Sequence, residues 1–114
     1  MGTEKDQSIL FKIKDIGIGL FASGCLEIRR YENDRVTIRW EEDWGNEISS
    51  DFIIIDPDKP IVHSYYYEDN FTDKSRDRDI SDTAITLRRV MGILSDNPGE
   101  IEAKRFIHGV LKGF

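Results

Sequence analysis

Residues 52–67, Phe-Ile-Ile-Ile-Asp-Pro-Asp-Lys-Pro-Ile-Val-His-Ser-Tyr-Tyr-Tyr, limit the folds open to this chain more than any other stretch. The run 52–55 is apolar and β-branched or aromatic throughout, which suits an enclosed, pleated strand. Pro57 and Pro60 follow within five residues. Each fixes φ near about −65° and removes a backbone donor, so the chain must turn there. The run 61–67 then returns as a second β-branched and aromatic strand. A strand, a rigid turn and a strand predict an antiparallel pair, around which the rest of the chain can be arranged.

Upstream, alternation places Ile9, Phe11 and Ile13 on one side of a strand with Lys12 and Lys14 on the other. The stretches 25–31 and 35–41 flank Glu32-Asn33-Asp34 and predict a hairpin, with Val36, Ile38 and Trp40 sharing a face. Asp43-Trp44-Gly45-Asn46 is the next reversal, because Gly and Asn tolerate positive φ. Five strands with short connections over residues 8–67 make an antiparallel meander. The segment 68–79 holds one apolar residue, Phe71, among twelve, and reads as a long charged loop.

Beyond it the apolar period changes from two to about 3.6. Ile80, Ala84, Leu87, Met91 and Leu94 form one stripe of a helix over 81–96, with Ser81 as its cap. Asn97-Pro98-Gly99-Glu100 reads as the cap and first turn of a second helix over 98–112, striped by Ala103, Phe106, Ile107, Val110 and Leu111. Both helices are expected on one face of the sheet. The fold class is α+β, in a single domain over residues 1–114, with 1–7 a flexible N-terminus.

The chain carries 22 Asp and Glu against 16 Lys and Arg, a formal charge of −6. Residues 41–58 alone hold seven acids and no base, and the two flanking parts nearly balance. Such a distribution weighs against nucleic acid, whose phosphates need a basic stripe. Cys25 is the single cysteine, so an intrachain disulfide is excluded and a reducing, cytoplasmic location is expected. The longest uncharged run, 16–26, is broken by three glycines and falls short of the roughly 18 apolar residues of a membrane span.

Several motifs touch on chemistry. Gly17-Ile-Gly-Leu-Phe-Ala22 matches the G-x-G-x-x-[G/A] dinucleotide fingerprint, but the preceding strand is half polar and no further βαβ units follow. It reads as a bend or bulge. Asp56, Asp58 and His63 are hard and imidazole ligands for a divalent cation, yet a proline-flanked turn carries such aspartates for structural reasons. Pro57-Asp58 with Glu102-Ala-Lys104 resembles a nuclease spacing, but its second half falls on an amphipathic helix. No serine sits in a nucleophile elbow. No cofactor and no metal are therefore assigned, and no catalytic residue.

What remains is an aromatic and acidic surface. Glu41, Glu42, Asp43 and Glu47 are suited to steering a basic partner, with Trp44, Tyr65 and Tyr67 as buried anchors. The expected function is a non-enzymatic protein-interaction module, in an adaptor, inhibitor or immunity-like role, binding a protein partner or a second copy of itself. The alternative is a small-molecule binder or small hydrolase with a pocket between sheet and helices near His63.

Overall fold

The computed structural model describes residues 7–114. The expectation of a flexible N-terminus falls on residues outside this range, except for Gln7, whose backbone opens the first strand opposite Tyr31. The strands are β1 (Gln7–Gly19), β2 (Ala22–Tyr31), β3 (Val36–Asp43), β4 (Glu47–Ile55), β5 (Val62–Asp69) and β6 (Asp73–Asp77), followed by α1 (Ile80–Ser95) and α2 (Ile101–Leu111). They form one antiparallel sheet in sequential order, β1-β2-β3-β4-β5-β6, with the helices packed on one face. The meander and the α+β class are as expected. The sheet has six strands rather than five.

The sixth strand comes from the segment read as a loop. Its sequence, Asp73-Lys-Ser-Arg-Asp77, lacks apolar residues because every side chain on it is exposed. Backbone pairing with β5, from Glu68 opposite Asp73 to Ser64 opposite Asp77, holds it in place. An edge strand carrying alternating charge resists pairing with another chain. The other edge, β1, is interrupted by bulges between Ile9 and Phe11 and between Ile13 and Ile16. The first bulge shifts parity, so Ile9 pairs with Arg29 and lies half-exposed on the open face, away from Phe11 and Ile13.

The core lies between the sheet and the helices. Leu26, Ile28, Val36, Ile38 and Ile53 from the sheet meet Leu87, Val90, Leu94 and Ile107 from the helices, all fully buried. Each such side chain contributes about 1.5–3 kcal/mol through burial. The opposite face has no helix over it among the described residues, and Phe52 and Val62 are exposed there. Polar ties across the layers include Arg89 to Glu42 at 2.8 Å, and Arg30 to Glu102 at 2.5 Å.

The helix boundaries differ from expectation for local reasons. Asp79, not Ser81, caps α1, with its carboxylate accepting from the Asp82 backbone N–H at 2.9 Å. Asn97 does not cap α2. Its side-chain amide instead donates to the Ile93 carbonyl, closing the end of α1. Gly99 takes φ +95° to redirect the chain, and α2 begins only at Ile101. Among the described residues no helix is long and apolar enough to cross a membrane.

Candidate functional site

In a meander, alternate turns emerge at the same end of the sheet. The β1–β2, β3–β4 and β5–β6 tips therefore stand side by side, about 10 Å apart given the spacing of strands. Each exposes large apolar surface. Leu20 and Phe21 are 84% and 89% exposed, Trp44 is 42% and Phe71 is 92%. The segments 17–24, 41–48 and 67–74 that build this end contain seven acids and one base, Lys74. Their balance of −6 equals the formal charge of the whole chain.

The β1–β2 tip is strained. Pairing of Gly19 with Ala22 leaves only Leu20 and Phe21 in the turn, and Phe21 sits at φ +64°. A bulky side chain is uncommon there. Nothing in the core rewards this conformation, since the ring points into solvent.

The β3–β4 tip is braced by Glu42. Its carboxylate accepts from Trp40 Nε1 at 2.8 Å, from Trp44 Nε1 at 3.0 Å and from Arg89 at 2.8 Å. It thereby fixes two indoles and ties the tip to α1. Trp40 is 2% exposed and lies against Gly24, where a Cβ would come within 2.4 Å of its ring. Gly45 takes φ +92° and donates its N–H to Asp43, completing the turn.

At the β5–β6 tip the Asp69 carboxylate accepts from the backbone N–H groups of Phe71 and Thr72 and from the Thr72 hydroxyl. These bonds, the Phe71 one first, hold its carboxyl down at about 2. The Tyr67 hydroxyl donates to Glu47 at 2.9 Å and to Asp69 at 3.0 Å, linking this tip to β4. The Glu47 bond, then that of Asp69, pushes the Tyr67 phenol well above its ordinary 10.0.

These two shifts predict a pH window for the tip. Asp69 titrates below its ordinary 3.8, so its contribution is present above that value and lost as pH falls through about 2. Tyr67 titrates above 10.0, so its contribution is present below that value and lost only at higher pH. An alkaline titration followed by tyrosinate absorbance should show a late component that Tyr67→Phe reduces, the remainder coming from Tyr66, whose bond to Glu68 also raises its phenol. Four tyrosines titrating together around the ordinary 10.0, with no late component, would contradict the assignment.

The residues expected at the site divide between surfaces. Glu42, Trp44, Glu47 and Tyr67 come together at the tip end. Tyr65 shares their face one step down the sheet, between the guanidinium of Arg78 at 4.1 Å and that of Arg76 at 5.4 Å. Both tyrosines lie on the helix-bearing face with His63, and Tyr66 lies on the open one with Phe52. Glu41 is on the open face, paired with Arg39 at 2.7 Å, and Asp43 is spent on the Gly45 turn. The acidic segment is thus not one patch. Asp51 is buried, and Asp56 and Asp58 belong to the turn at the far end of the sheet.

Against family models, curated proteins and solved structures alike, the chain has no match. Any functional reading therefore rests on the geometry.

His63 is 3% exposed. Its Nε2 lies 2.8 Å from Asp51 Oδ1 and its Nδ1 lies 2.9 Å from Thr83 Oγ1. Carboxylate, imidazole and hydroxyl in line resemble an acid–base relay. However, Thr83 is 2% exposed and its hydroxyl also reaches the Asp79 carbonyl at 2.9 Å. The relay ties β4 and β5 to the first turn of α1, with its hydroxyl closed off from solvent. Gly17 and Gly19 belong to a strand entering a two-residue turn, with no helix after it to receive a pyrophosphate. Glu102, on α2, is bound to Arg30 of β2 and is not on a strand beside Asp58.

Sequence reasoning missed Leu20, Phe21, Glu68, Asp69, Phe71 and Asp73. For Leu20, Phe21 and Phe71 a local signal was present, an apolar residue in a turn where solvent would favour a polar one, whereas Glu68, Asp69 and Asp73 carried none.

Proposed function

We propose that the protein is a non-catalytic interaction module whose three-tip end docks on a basic protein partner, in an inhibitor, adaptor or immunity-like role. The observation that carries this reading is the row of Phe21, Trp44 and Phe71, exposed on an end whose segments carry seven acids, two of them paired with Arg39 and Arg89. Solvated aromatic side chains on a strained or braced turn cost stability in the free protein, and strain of this kind concentrates at binding sites. Aromatic anchors within a charged surround match the anatomy of interface hot spots. The acids favour a cationic protein and oppose an anionic lipid surface.

The test separates binding from folding. Phe21→Gly relieves a left-handed strain of about 1–2 kcal/mol, partly offset by the roughly 0.4–1 kcal/mol of chain entropy that glycine adds to the unfolded state. Its melting temperature should equal or exceed that of the wild type. Combined with Phe71→Ser, it should weaken a purified partner by at least about 30-fold, with a further loss as salt is raised. Equal affinity of wild type and double variant would overturn the proposal.

A further inference from the structure

A groove on the helical side, toward the opposite end of the sheet from the tips, has different chemistry. Ile80, Ala84 and Ile85 of α1 form one wall, Val110 and Phe114 the other, and Ile61 lies at the sheet end. Its volume is about 580 Å³, within the range of small-molecule sites. Ile80 and Ile85 are 59% and 55% exposed, so the groove presents apolar surface that the fold leaves in water.

One charged side chain lines it. Of the adjacent arginines on α1, Arg89 is committed to Glu42 at 2.8 Å, whereas Arg88 is exposed at the groove and pairs with no acid among the described residues. No Asp or Glu side chain lines the groove, although the chain carries 22 such residues. An apolar trough with a single unpaired guanidinium complements a molecule with an apolar tail and one negative head. Arginine is suited to a carboxylate, which it can bind with two parallel hydrogen bonds.

The geometry points to a binding site for an amphipathic monocarboxylate, with a medium-length acyl chain along Ile80, Ile85 and Phe114 and its carboxylate on Arg88. This site is separate from the tip surface and does not depend on its role.

Decanoate titrated into the ¹⁵N-labelled full chain, below the concentration at which it forms micelles, tests the site. Saturable shifts are expected at the Ile80, Ile85 and Gly113 amides, with the Phe71 amide unmoved. Arg88→Gln should weaken decanoate by about tenfold, as expected for the loss of a charge-assisted hydrogen bond. Decanol and decylamine should bind the wild type at least tenfold more weakly than decanoate, by the same argument. Ile85→Ser should weaken all three, and Phe71→Ser should change none. Both groove variants alter exposed side chains, and unchanged thermal unfolding would confirm their folds. No saturable decanoate shift, equal decanoate affinity in Arg88→Gln, or a groove that takes an acidic helical peptide while rejecting decanoate would each overturn the proposal.

Discussion

Asp51→Ala should destabilise the protein by about 3 kcal/mol, the range seen when one partner of a buried ionic pair is removed. Asp51 Oδ1 lies 2.8 Å from His63 Nε2 and 3.5 Å from Arg78 Nε. Removing it leaves the buried imidazole without its carboxylate partner and deprives the Arg78 guanidinium of its nearby counter-charge. Stability lost on this scale lowers the melting temperature by roughly 10–20 °C. Replacing the pair together, Asp51→Val with His63→Leu, should recover part of the loss, because the imidazole goes with its partner while Arg78 alone stays without its counter-charge. Thr83 would keep its bond to the Asp79 carbonyl. Thermal unfolding of the single and double variants measures the coupling. A double variant as unstable as the sum of its parts would show that the relay does not act as a unit.

The second large effect is expected at Gly24. An added Cβ would meet Trp40 Cη2 at 2.4 Å. Trp40 cannot swing aside cheaply, since it is 2% exposed and its Nε1 is held by Glu42. Gly24→Ala should therefore cost about 1–3 kcal/mol, as overpacked cores do. Because Glu42 also holds Trp44 and Arg89, the strain should reach the tip. Shifted tryptophan fluorescence should accompany the lower melting temperature, and an unchanged emission maximum would argue against the contact.

The layers of the fold were legible because each rests on local periodicity. Alternation in β3 and the helical stripe of α1 both reflect one apolar face meeting one core, which a sequence displays directly. The strand β6 was not legible, since it buries no side chain and is held by backbone bonds to β5. Ile9 was misplaced because a bulge at Leu10 reverses parity, and no residue type announces it. For the site, the acids of 41–47 were visible in the charge count, and Glu42 with Trp44 does stand at the tip. The contribution of Glu68, Asp69 and Phe71 was hidden, because it arises from which turns the meander brings to one end. The role of His63 depends on Asp51 and Thr83, 12 and 20 residues away, which only folding brings within reach.

Two surfaces of opposite character emerge from one sheet and two helices. The tip end is acidic and aromatic, and the groove is apolar with one free arginine. The central claim concerns the first. Site-specific photo-crosslinking tests it most directly, with a benzophenone side chain placed in turn at Phe21, Phe71, Phe52 on the open face and Ile85 on α1, in cells producing the protein. The account predicts that the same partner is captured from Phe21 and from Phe71, and not from Phe52 or Ile85. Capture from Phe52 or Ile85, with none from the two tips, would contradict it.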